Sequence, residues 1–110
     1  MTALLVWLAA VMTPQASEQA TCVFDTAPPE PCTVAFAVHA DGVIELRAKA
    51  RKGEHQAVFV GRRQSGWWAG TLDGAAAMGY ELNRGNVTFA TCALDRTFQY
   101  YSAGHEHGSY

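Results

Sequence analysis

Long apolar runs, net charge and catalytic signatures are all scarce in this sequence of 110 residues. No apolar run approaches the roughly 18 residues that a membrane-spanning helix needs. The net formal charge of −2 argues against general adsorption to nucleic acid, because neutralising phosphates requires an excess of cations. A disordered chain would have few aromatics, whereas 11% of these residues are aromatic and 49% are apolar. Once these classes of protein are excluded, the length of the chain indicates a single small globular domain.

Signatures of catalysis and of cofactor binding are also missing. The sequence contains no G-x-S-x-G, no H-E-x-x-H and no phosphate-binding loop. No pair of cysteines has the C-x-x-C spacing of a zinc or redox site. The C-terminal motif His105-Glu106-His107 has metal-ligand chemistry, but a solvated tail is the favoured interpretation. We therefore expect a non-catalytic protein without a cofactor or a metal.

The N-terminal region resembles an export signal. Residues 3–12 are apolar and uncharged, and ten helical residues rise only about 15 Å, half of a bilayer core. That length is typical of the apolar region of a signal peptide. Pro14 ends the segment, and Ala16 and Ala20 are candidate cleavage points. The alternative interpretation is a buried N-terminal helix.

The domain organisation follows from this segment. We expect a signal peptide over residues 1–20 and one small β-domain over 21–110, which ends in a short polar tail. The mature chain would have no transmembrane span and would be exported to the periplasm or the extracellular space. The tripeptide Asn86-Val87-Thr88 matches a glycosylation sequon, which has meaning only in a eukaryotic secretory pathway.

The three cysteines predict one disulfide bond in an oxidising compartment. Cys22 with Cys32 is the first choice, because the proline-rich segment between them forces the chain to turn. Closing that loop would stabilise the fold by about 2.7 kcal/mol on the chain-entropy model. Cys22 with Cys92 closes a longer loop and would contribute about 4.4 kcal/mol, so this pairing stays open. In the first case Cys92 is free.

Short apolar stretches alternate with turn residues along the rest of the chain. The turns carry glycine after a polar residue, which suits hairpin positions with positive φ: Asp41-Gly42, Lys52-Gly53, Ser65-Gly66, Asp73-Gly74 and Arg84-Gly85. The stretches between them cover 21–25, 32–39, 43–51, 55–63, 67–72, 76–83, 86–92 and 96–101. In several stretches every second residue is apolar, and these residues share one face of the strand: Val34, Phe36 and Val38; Ile44, Leu46 and Ala48; Met78, Tyr80 and Leu82; Val87 and Phe89. This pattern predicts an all-β fold, a small antiparallel meander, barrel or sandwich of about eight short strands.

A concentration of cations is the first candidate binding surface. Six of the eight Lys and Arg residues lie between positions 47 and 63. Arg47, Lys49 and Arg51 share one strand face, and Arg62 and Arg63 follow in the next stretch. If the two stretches form a hairpin, these side chains make one basic patch for lipid headgroups, an anionic glycan or an acidic partner protein. The alternative is a solvated face that discourages edge-to-edge strand pairing.

The adjacent pair Trp67-Trp68 is the second candidate. Neighbouring strand residues point to opposite faces, so only one indole can enter a single core. Trp68 shares its parity with Leu72, which places Trp68 inside and leaves Trp67 as a candidate binding residue.

Two resemblances to known proteins are visible. The segment 79–89, which continues to Phe98-Gln99-Tyr100-Tyr101, resembles the C-terminal half of short exported bacterial proteins of uncharacterised function. The size and β-architecture are similar to the periplasmic inhibitors of C-type lysozyme. Their Ser-Gly-x-x-Tyr signature is matched by Ser65-Gly66, but Ala69 stands at the tyrosine position, so no inhibitory residue is carried over.

These observations together predict an exported, non-catalytic binding protein of the cell envelope. The expected partner is an envelope protein or an anionic glycan or lipid surface. The alternatives are an inhibitor of a lysozyme-like hydrolase and a purely structural component of the envelope.

Overall fold

A computed structural model of the protein describes residues 16–83 and 86–102. These residues form eight antiparallel strands: β1 Ala16–Phe24, β2 Glu30–Val38, β3 Ile44–Ala50, β4 Gln56–Arg63, β5 Trp68–Leu72, β6 Ala75–Asn83, β7 Asn86–Thr91 and β8 Thr97–Ser102. The all-β prediction is confirmed. Four of the predicted turn glycines have positive φ: Gly42, Gly53, Gly66 and Gly74.

The strands close into a barrel. Each strand pairs with its neighbours in sequence, and β1 pairs with β8 to close the sheet. Closure removes the unpaired edges that would template aggregation. Within the part of the chain that the structure describes, no helix is long and apolar enough to cross a membrane.

Aromatic side chains fill the barrel interior. The ring centroids of Phe59 and Phe89 lie 4.5 Å apart, and Phe98 lies 6.1 Å from Phe89. The interior of an eight-stranded barrel is either filled by side chains or holds one small ligand, and here these rings occupy it. Ligands of this protein are therefore expected at its surface or at its ends.

The apolar alternation in β6 faces outward, not into the core. Met78, Tyr80 and Leu82 are exposed, while Ala77 and Gly79 point inward. Gly79 lies against the Phe89 ring, where an added Cβ would be 2.2 Å from Cδ1. The large ring on β7 thus requires the smallest residue opposite it, and the large apolar side chains of β6 take the outer face.

A disulfide bond joins β1 to β2. Cys22 and Cys32 are bonded and fully buried, and their Cα atoms lie 5.9 Å apart. Cys92 is free and exposed, just beyond β7. The first-choice pairing is confirmed.

Strand β1 extends further toward the N-terminus than the apolar stretch predicted. Its ladder with β2 runs from Ala16 opposite Phe36 to Cys22 opposite Glu30. Residues 16–20 therefore belong to the barrel, although the predicted domain begins at 21. The apolar segment 3–12 and the motif at 105–107 lie outside the described residues, and the signal peptide remains a prediction.

An arginine bridges several segments of chain at one end of the barrel. At the end where β1 finishes, called the base, Arg96 donates to Asp25 Oδ1 at 3.1 Å, to a carboxylate oxygen of Asp73 and to the carbonyl oxygen of Gln56 at 3.5 Å. One guanidinium thus connects three other segments of chain and covers this end. The opposite end, where β1 begins, is called the mouth.

Candidate binding surfaces

The first half of the predicted basic patch is present as a row on the outer face of β3. Arg47 and Lys49 are exposed and pair with Val58 and Gln56 of β4, and exposed Arg51 continues the row beyond the strand. Alternate residues of a strand are separated by about 6.6 Å, so the row is about 13 Å long.

One member of this row is already neutralised. Arg47 donates to Glu45, and Glu45 also lies 3.3 Å from the ring nitrogen of His39. Burial tends to raise the pKa of Glu45, but hydrogen bonds from Arg47 and His39 outweigh burial and leave the pKa lowered. A charged carboxylate is therefore part of the row at neutral pH.

The second half of the patch is divided between two faces. Arg62 donates to the Asp41 carbonyl oxygen at 2.7 Å, on the outside of the barrel. Arg63, one residue on, lies at the mouth, with its guanidinium carbon 5.0 Å from the centroid of the Trp68 ring. Adjacent strand residues diverge, so the structure does not bring the five cations together.

A cleft at the base adjoins the row. It has a volume of about 480 Å³ and is lined by Glu30, Pro31, Arg51 and Lys52. Glu30 also binds the His55 ring nitrogen at 2.7 Å. Among the described residues, Lys49, Arg51 and Lys52 have no carboxylate within ion-pairing distance. Arg63 likewise has none there but lies at the mouth, so these three are the unpaired cations beside the cleft.

The tryptophan pair diverges as the sequence predicted. Trp68 packs against the core cluster, 6.3 Å from the Phe89 centroid. Trp67 is exposed just before β5. The parity argument therefore assigned both indoles to the correct faces.

Trp67 lies beside a set of exposed apolar side chains that sequence reasoning did not select. Trp67 is 39% exposed, Tyr80 46%, Met78 47% and Leu82 50%. Gly79 of β6 lies opposite Trp68, and Tyr80 and Trp67 are adjacent to these two residues at the same end of the β5–β6 pair. Ala69 and Ala90 flank Met78 on the adjacent strands. We call Trp67, Met78, Tyr80 and Leu82 the outer apolar face.

The mouth is the other arrangement that sequence reasoning missed. Each of six strands contributes to it one inward-facing position near that end: Glu18, Phe36, Arg63, Trp68, Glu81 and Tyr100. These positions are spread over more than eighty residues of sequence. Only the register of the closed barrel brings them together, so no local motif reveals them.

The remaining candidates lose or lack structural support. No group of three metal-ligating side chains occurs within residues 16–83 and 86–102. Asn86 of the glycosylation sequon is only 4% exposed, which hides it from a modifying enzyme in the folded barrel. Ser65 and Gly66 of the half-matched signature are exposed in the turn between β4 and β5.

The chain was compared with protein-family models, with curated proteins and with solved structures, and nothing in any of the three matches it.

Proposed function

We propose that this protein is an exported, non-catalytic binding protein that docks a partner protein of the cell envelope through its outer apolar face. The observation that carries the proposal is the exposure of Trp67, Met78, Tyr80 and Leu82 on neighbouring strands. Aromatic residues and methionine are enriched at protein interfaces. Contiguous exposed apolar side chains are uncommon on monomers and mark interaction sites.

The core gives the second reason to favour a surface. Phe59, Phe89 and Phe98 occupy the barrel interior, so a partner must bind outside it. Strand pairing fixes two members of the outer apolar face, since Met78 lies opposite Ala69 and Ala90 and Tyr80 lies opposite Thr88. A preorganised face loses little conformational entropy on binding.

Export is supported by the disulfide bond, since disulfides persist in oxidising compartments outside the cytoplasm. The β1 ladder favours one of the two candidate cleavage points. Cleavage after Ala16 would retain Ser17 to Cys22 opposite β2, whereas cleavage after Ala20 would leave only Thr21 and Cys22 of that ladder. N-terminal sequencing of exported protein should therefore begin at Ser17, and an intact Met1 in a cytoplasmic pool would contradict export.

The anionic surface is the second candidate partner, and a specific feature favours it. Lys49, Arg51 and Lys52 carry no ion pair among the described residues and adjoin the base cleft. Glu45 interrupts this surface, and Arg62 is already bound to Asp41. Three available cations support weaker and more salt-sensitive binding than the outer apolar face does.

Photo-crosslinking in the living cell tests the proposal. A photoreactive amino acid at Tyr80 should form a defined adduct with one envelope protein, while one at Thr33, on the outer face of β2 across the barrel, should not. Tyr80→Ser with Leu82→Ser should abolish capture of that protein by the purified chain. Val38→Ser is the matched control, because Val38 is equally exposed but lies on β2.

The alternatives give different results in the same experiment. An adduct with a second copy would indicate self-association, as in a structural component. An adduct with a lysozyme-like hydrolase, together with loss of that enzyme's activity on mixing, would indicate an inhibitor. Capture that is unchanged in the double serine variant, or that is lost in Lys49→Ala with Arg51→Ala, would overturn docking through the outer apolar face.

A further inference from the structure

Two glutamates and a buried phenol take inward-facing positions near the barrel mouth. Glu81 of β6 lies opposite Val87 of β7, and Val87 lies opposite Tyr100 of β8. Tyr100 in turn lies opposite Cys22 of β1, so these four residues form one continuous row across the sheet. Glu18 precedes Cys22 by four residues on β1 and therefore shares its inward face. Both carboxylates act electrostatically on the phenol of Tyr100.

The side chain of Tyr100 is buried, and its hydroxyl has no hydrogen-bond partner within the part of the chain that the structure describes. The side chain is 5% exposed, and no group of the described residues forms a hydrogen bond with its Oη. Buried hydroxyls are nearly always hydrogen-bonded, because leaving water without a new partner costs free energy. Burial, together with Glu18 and Glu81, holds the pKa of Tyr100 well above its ordinary value. The phenol therefore stays neutral at physiological pH, with its oxygen free to accept a hydrogen bond.

Aromatic rings form the wall of the same site. The rings of Phe36 and Tyr100 are arranged edge to face, with centroids 6.5 Å apart. Trp68 holds the guanidinium of Arg63 over its ring at 5.0 Å. The wall thus already stabilises one cation through its π-electrons.

We propose that the barrel mouth binds an alkylammonium or guanidinium group, with its charge between Glu18 and Glu81 and one N–H directed at Tyr100 Oη. The two carboxylates accept charge-assisted hydrogen bonds, and an anion at this position would be repelled by them. Phe36 contacts the aliphatic stem that carries the cation. Such a group occurs on a free amine, such as a polyamine, and on a lysine or arginine side chain of a peptide. The site is distinct from the outer apolar face, which lies on the other surface of β5 and β6.

The test measures cation binding to the purified protein, after mass spectrometry has established that the chain retains Glu18. Butylammonium, spermidine and a trilysine peptide are titrated by calorimetry and by Trp68 fluorescence in a Trp67→Phe background. Saturable binding of butylammonium and spermidine with a weaker peptide signal identifies a small-amine site. Tighter binding of trilysine than of butylammonium identifies a peptide side chain. Either result supports the proposal.

Variants locate the binding at the mouth. Glu18→Gln and Glu81→Gln should each weaken binding about tenfold, because each removes a charged hydrogen-bond acceptor. Tyr100→Phe should weaken it about threefold to tenfold while retaining the ring. Glu54→Gln, an exposed carboxylate in the turn at the base, is the matched control and should leave binding unchanged.

Two results would overturn the assignment. One is the absence of saturable binding of all three cations at low ionic strength. The other is equal weakening by Glu54→Gln and Glu81→Gln, which would show diffuse attraction to a negatively charged protein. Variant unfolding does not obscure either result, because near-UV circular dichroism of each variant is recorded before titration.

Discussion

The ring of Phe89 rests on Gly79, and no side chain can be added between them. A Cβ on Gly79 would be 2.2 Å from Cδ1 and 2.4 Å from Cε1 of Phe89. Gly79→Ala should therefore lower the free energy of unfolding by about 1–3 kcal/mol, the usual effect of overpacking a core. Urea denaturation measures the change. In a double-mutant cycle with Phe89→Leu, the two losses should be clearly less than additive; simple additivity would show that the contact is not the cause.

The guanidinium of Arg96 provides a second test of the fold, at the base. Because it bonds to Asp25 and Asp73 at once, Arg96→Lys should lose nearly as much stability as Arg96→Ala. A lysine ammonium lacks the planar guanidinium group, whose separate N–H donors can bond to two carboxylates at once. The partly exposed setting limits the expected loss to about 1 kcal/mol. Lys52→Ala, without an ion pair among the described residues, should leave the unfolding midpoint unchanged, and a full rescue by lysine would contradict the bridging role.

The disulfide bond should contribute a large share of the stability of so small a domain. Cys32→Ala is expected to cost about 2–5 kcal/mol, and mild reduction should have a similar effect. Cys92→Ser is the control, since Cys92 is exposed and unbonded. Peptide mapping without reductant should recover Cys22 joined to Cys32. A fragment that joins Cys22 to Cys92 would refute the pairing.

The two indoles should respond differently to substitution. Trp68→Ala is expected to cost about 2–3 kcal/mol, somewhat less than removal of a fully buried indole, because Trp68 packs only one side against the core. Trp67→Ala should change stability by about 0.5 kcal/mol or less and should weaken capture of the partner protein. Thermal unfolding of both variants gives the comparison. Equal losses would mean that both rings are buried.

The buried phenol of Tyr100 predicts a loss of stability in alkali. Its pKa in the folded protein is raised above that of the unfolded chain, so above pH of about 10 the unfolded state releases a proton that the folded state retains. Stability should then fall by about 1.4 kcal/mol for each further pH unit. Tyr100→Phe should flatten this dependence, while Tyr80→Phe should not. Urea unfolding between pH 8 and 11 measures the slopes.

Turn glycines and period-two alternation were sufficient to predict the eight strands, because both signals are local. Gly42 and Gly74, for example, have the positive φ that a tight hairpin requires. The start of β1 was less visible, since Glu18 and Gln19 interrupt any apolar pattern there. Their place in the strand depends on pairing with β2, which the sequence of β1 alone does not encode.

The candidate sites required knowledge of register. Adjacent residues such as Arg62 and Arg63 must diverge within one strand, so strand geometry already separates them. The outward orientation of Tyr80 was not predictable, because its cause is the size of Phe89 on another strand. The position of Tyr100 opposite Cys22 likewise depends on closure between β1 and β8.

Closure between the first strand and the last also sets an order of events during synthesis. The hairpin of β1 and β2 is complete once Val38 has emerged, whereas β8 begins only at Thr97. In the interval one side of β1 is an open edge, available to other extended chains. Oxidation of Cys22 and Cys32 in that interval would hold β1 in register before its second neighbour exists. The disulfide therefore joins β1 to β2, its first neighbour to be synthesised, before β8, its second neighbour, exists.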